Sequence, residues 1–68
     1  MMQKWEYLII ESDWTGGVAR LRYINRKEQP DWMRGPSVFE FLNQMGDEGW
    51  ELVSAPSLHT YMLKRPKP

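Results

Sequence analysis

Acid–base chemistry needs carboxylates, a histidine or a lysine held in a desolvated cleft, and this chain has few candidates. Asp47, Glu48 and Glu51 cluster within MGDEGWELV (45–53), and His59 is the single histidine. Asp47 and Glu48 fall at the end of a helical pattern, and Glu51 alternates with Trp50 on a strand. Charges placed in this way form a solvated face more often than a catalytic one. His59 opens a strand with no second histidine and no cysteine in the chain to join it in a metal site. The glycines of the same stretch, Gly46 and Gly49, could in principle bring backbone amides to a phosphate. Phosphate cradles use a helix N-terminus, however, and this is a C-terminus, where the dipole and two acidic side chains repel anions. The expectation is no catalytic residue, no metal and no cofactor.

The glycines therefore read as architecture. Gly49 stands where a helix must stop and reverse into a strand, the left-handed position that glycine takes freely. Gly46 lies in the last turn, where a missing side chain would let the helix approach a sheet. Trp50 then begins a strand and can cover the helix end.

The elements around this corner follow from periodicity. KWEYLIIES (4–12) alternates aromatic and branched residues and reads as a strand, central because both parities are apolar. DWTGG (13–17) is turn chemistry, and VARLRYIN (18–25) is the hairpin partner. RKEQPDWMRGP (26–36), with two prolines and a glycine, reads as a loop. In SVFEFLNQMGDE (37–48), Ser37 and Glu40 form a capping-box pattern, and Val38, Phe41, Leu42 and Met45 make one apolar stripe. WELVSA (50–55) and HTYMLKR (59–65) are two further strands, joined by Pro56, Ser57 and Leu58. The expected fold is α+β: a four-stranded antiparallel sheet with one helix on one face, ββαββ, in strand order 2-1-3-4, a single domain over residues 1–68.

KWEY at the start, FLNQMGDEGWELVS in the middle and YMLKRP at the end resemble the small bacterial proteins grouped as domain of unknown function 4177. The resemblance covers both ends of the chain and its helix–strand centre, and leaves out residues 13–36. It implies a small sheet-and-helix protein without an established activity.

Composition narrows the function classes. The 68 residues carry nine basic and nine acidic side chains, so no general attraction to nucleic acid or to an anionic membrane is expected. The longest apolar run, Tyr7–Ile10, is far too short to span a membrane. The amino-terminal residues, with Lys4 and Glu6 among apolar ones, lack a signal-peptide layout. The expected location is the cytoplasm. A chain this short buries only roughly 60% of its unfolded surface, and with no cysteine it cannot add disulfides. A partner chain is the staple left.

Two surfaces are candidates for contact. Trp32, Met33 and Arg34 in the long loop are residue types typical of binding anchors, unless the loop folds over the core and buries Trp32. The second is an assembly face. If the helix covers Trp5, Tyr7 and Ile9, then Leu8 and Ile10 on strand one and Val53 on strand three face away from it. Those aliphatics would be buried by a second copy or by the 26–36 loop. A nucleic-acid platform on this face is the alternative, since Arg20, Arg22 and Lys64 could share it. Glu6 and Glu51 on the central strands of a 2-1-3-4 sheet would neutralise those bases. A third possibility is an enzyme site at a subunit boundary. The sequence thus favours a small non-enzymatic binding or assembly module, a homo-oligomer, with nucleic acid disfavoured.

Overall fold

The computed structural model describes residues 2–68. Strand β1 runs Trp5–Thr15 and turns into β2, Val18–Ile24, through Gly16 and Gly17 alone. Both glycines have positive φ, 59° and 78°, the backbone a two-residue hairpin needs to match strand twist. A second tight turn follows. Asn25 and Arg26 also hold positive φ, and Asn25 is anchored because its Oδ1 accepts from the Ile9 amide at 2.9 Å. That turn delivers a short strand β3, Lys27–Glu28, onto the outer edge of β2. Residues 26–36 are therefore not all loop. They contain β3 and a 3-10 turn at Trp32–Arg34. Farther along the same edge, the Leu21 amide donates to the Pro36 carbonyl at 3.2 Å, and Arg20 bridges to Ser37.

Helix α1, Val38–Asp47, thus starts from the β2 edge. The Ser37 hydroxyl accepts from the Glu40 amide at 3.2 Å, the side-chain cap that the Ser37–Glu40 spacing announces. At the other end the Trp50 amide donates to Met45 and the Gly49 amide to Gly46. Those two bonds, with Gly49 at φ 91°, make a Schellman motif. A Cβ added at Gly49 would meet nothing within 4 Å, so only backbone strain opposes a side chain there. Gly49→Ala is expected to lower stability by about 1 kcal/mol in a thermal melt. Gly46 is exposed and equally open around its missing Cβ. It does not admit the helix to the sheet, so Gly46→Ala should cost nothing.

Strand β4 spans Glu51–Ser57 and β5 spans Thr60–Pro66. The antiparallel sheet has five strands in the order β3-β2-β1-β5-β4. The α+β class and the single helix are as expected, but the 2-1-3-4 order is not. The last strand, not the third, lies beside β1, pairing from Trp5↔Pro66 to Glu11↔Thr60. The reason is chemical. Pro56 falls inside β4, and a residue without an amide donor suits an edge strand. Two register shifts further disrupt the β4–β5 pairing, which discourages a stray strand from adding to that edge.

The core is small: Ile10, Leu21, Val38, Met45 and Leu63, with Leu8, Ala19, Ile24, Phe41, Leu42, Trp50 and Tyr61 packed around it. The helix stripe is the one expected from spacing. Its counterpart on β1 is the opposite parity. Leu8 and Ile10 lie under the helix, whereas Trp5, Tyr7 and Ile9 face away. Both parities of this strand are apolar, so alternation alone does not choose. Glu6, on the parity of Leu8 and Ile10, suggests a solvated side. It is instead paired with Arg65, near the carboxyl end of the helix. Arg65 reaches the Glu48 carbonyl at 3.3 Å and lies 4.4 Å over the Trp50 ring.

The molecule is elongated, 47 × 21 × 19 Å. The β1–β2 hairpin reaches beyond the helix, and Trp14 near its tip is exposed.

Candidate functional site

The sheet face opposite α1 is assembled from alternate residues of β1 and their register neighbours. Trp5, Tyr7, Ile9 and Glu11 lie along β1. Beside them on β5 stand Pro66, Lys64, Met62 and Thr60. Tyr23 on β2 lies across from Glu11, and Glu51 and Ser54 on β4 adjoin Lys64 and Met62. The middle of this surface is a row of large side chains. Tyr7 is 59% exposed and Trp5 37%, while Ile9, Tyr23 and Met62 are half-buried by their neighbours. Of the segments outside the sheet, α1 packs on the other face and the Trp32 turn packs against β2.

The polar groups on this face are of two kinds. At the β2 side Arg22 is fully engaged. It bonds Asp13 Oδ2 at 2.6 Å and Glu28 Oε2 at 2.8 Å, and lies 4.6 Å over the Trp32 ring. An irregularity between Glu11 and Ser12, where Arg22 is the extra residue on β2, turns it into this position. The Trp14 amide and the Arg22 guanidinium hold the Asp13 carboxyl below its ordinary range, and the two carboxylates raise Arg22. At the other end, Lys64 Nζ sits 4.2 Å over the Trp5 ring, and the Glu51 carboxylate on the neighbouring strand forms no ion pair with it. Among the described residues, neither Lys64 nor Glu11 forms an ion pair.

The sequence-derived binding residues separate. Trp32 is half-buried on Arg22, whereas Met33 is 60% exposed and Arg34 projects from the same turn. The three assembly residues do not form one face. Ile10 has no exposed surface, Leu8 packs on the core beside it, and Val53 lies exposed on the edge strand at a register shift. Arg20 turns to the Gly35 carbonyl rather than to a neighbouring strand's carboxylate. His59 occupies the β4–β5 turn, where its amide donates to Ser57 Oγ. Glu51 is on the edge strand, not a central one.

Trp5, Tyr7, Ile9, Tyr23 and Met62 are the surface that alternation left undecided. One signal was present. Tyr and Trp combine an apolar body with a polar tip and tolerate a half-wet surface, while Leu8 and Ile10 have nothing to offer water. The arrangement suits contact by apolar burial and stacking. Among the described residues, no group of three His, Cys, Asp or Glu side chains is placed to hold a metal ion, and no helix is long and apolar enough to cross a membrane. No family model, curated protein or solved structure matches the chain.

Proposed function

We propose that this chain is a small non-enzymatic assembly module that binds a second copy of itself through the open sheet face. The observation that carries this reading is the row Trp5, Tyr7, Ile9 and Met62, left in contact with solvent opposite the helix. Surface area supports it. A compact monomer of 8.1 kDa exposes roughly 4,500 Å², and this chain exposes 5074 Å². Part of the surplus comes from the elongated shape of the molecule, and a standard interface would cover ~800 Å² on each partner. Sheet-on-sheet packing would cover the row and add a further layer to the helix and sheet that enclose so small a core.

The Lys64–Trp5 stack beside exposed Tyr7 favours one other reading, a single-stranded nucleic-acid platform. Charge argues against it. Arg22 is consumed by Asp13 and Glu28, and Glu11 and Glu51 stand on the same face. The likeness to the domain of unknown function 4177 proteins belongs to the proposal too. Its support is that Glu6 of KWEY, Glu48 and Trp50 of GDEGWE, and Arg65 of LKRP meet in one cluster. A cytoplasmic location is proposed on composition.

Light scattering during size exclusion tests the assembly. The wild type should run at about twice 8.1 kDa, and Tyr7→Lys with Ile9→Lys should run as a folded monomer. A wild type that stays monomeric at millimolar concentration would sink the reading. If that monomer retained oligonucleotides through Tyr7, the platform would replace it.

A further inference from the structure

We infer that the two copies pack with their sheets related by a two-fold axis running across the strands through the Ile9–Met62 row, so that Lys64 of one copy meets Glu11 of the other. The inference rests on the assembly reading and adds to it a geometry and a pair of residues.

The register supplies the symmetry. Ile9 and Met62 are directly opposed on β1 and β5. The Tyr7↔Lys64 pair lies two residues to one side, and Glu11↔Thr60 lies two residues to the other. At the spacing of a strand, each row is about 7 Å from the central one. Aligned face-to-face packing by two-fold symmetry requires an axis lying between the sheets, close to across the strands or along them. An axis across the strands reverses their direction and exchanges the outer rows. Lys64 then faces the row of Glu11, one strand over, and the same pair forms twice, once from each copy's lysine. An axis along the strands keeps every row opposite itself. It would set Lys64 near Lys64 and Glu11 near Glu11, like charges at the edge of a desolvated patch, which is costly.

Charge complementarity therefore selects the first arrangement. Both groups are available for it. Among the described residues neither is in an ion pair, both are half-buried, and Glu51, opposite Lys64 on β4, forms no ion pair with it. The Lys64 ammonium already leans on Trp5, which fixes its stem without neutralising its charge.

A charge exchange tests the pair. Lys64→Glu and Glu11→Lys should each weaken dimerisation about tenfold or more, and the double exchange should recover most of that loss. Dissociation constants would come from sedimentation, with circular dichroism confirming the fold. A double variant no tighter than the weaker single would overturn the pairing while leaving the interface in place. A wild type without dimers would remove the face and the pair together. Should a reversed charge unfold the chain, Lys64→Gln with Glu11→Gln provides a second measure. Its dimerisation should respond less to sodium chloride than the wild type's, and an unchanged salt response would also overturn the pairing.

Discussion

Ile10→Ala is expected to lower stability by about 2–5 kcal/mol, the range for removing a large aliphatic from a packed interior. Ile10 has no exposed surface and lies between Ile24 and Tyr61 on the two neighbouring strands, beneath the helix. A chain of 68 residues has only roughly 3–10 kcal/mol of total stability. The substitution should therefore remove a large fraction of the stability and lower the urea midpoint sharply. Tyr7→Ala, three residues earlier on the same strand, is the control. Its ring is more than half exposed, so measured on the monomer it should cost well under half as much. Urea melts of both variants check the assignment of faces. If Tyr7→Ala proved the more damaging, the helix would have to lie on the other side of the sheet.

Trp50→Ala has the second-largest expected effect, about 2 kcal/mol, because the indole is half-buried rather than enclosed. Trp50 follows the Gly49 reversal and packs on the core at the helix end, beneath the Arg65 guanidinium. Arg65 binds Glu6 and donates to the Glu48 carbonyl, one of the acceptors the helix leaves free at its end. Arg65→Ala alone should cost less, about 1 kcal/mol, since both ion-pair partners keep roughly a third of their surface. The two losses should not add. With Trp50 gone, Arg65 has no ring to cover, so the double variant should fall short of the sum by about 0.5–1 kcal/mol. Strict additivity in the melts would mean that the stack contributes nothing.

The arrangement explains why a glycine directly precedes the largest side chain. Gly49 lets the chain reverse within one residue, so Trp50 folds back beneath the helix end it has just left. Glu6 and Arg65, 59 positions apart in the chain, close over it from two paired strands. The polar groups on the open face meet across neighbouring strands at shorter range, 6 and 9 positions apart. Arg22 reads as one of several bases until an irregularity in β2 brings it to Asp13, Glu28 and Trp32.

Local chemistry by itself determined the parts of this protein. The glycines of DWTGG marked the first hairpin, although Asp13–Thr15 belong to β1 and only Gly16–Gly17 turn. Ser37 marked the helix start, Gly49 its end, and the spacing of Val38, Phe41, Leu42 and Met45 the stripe against the core. These features depend on backbone conformation and on neighbours within a turn, which the order of residues states directly. Tertiary structure decided which side of β1 lies inside and which strand lies next to it. Leu8 and Ile10 compete with Trp5, Tyr7 and Ile9 on equal apolar terms, and the helix resolves the contest by covering the aliphatic set. Glu6 tolerates that side because Arg65 arrives from the far end of the chain. β5 displaces β4 from the centre because β4 holds a proline and an irregular register. Each outcome depends on a partner distant in sequence, and alternation within one strand contains no information about that partner.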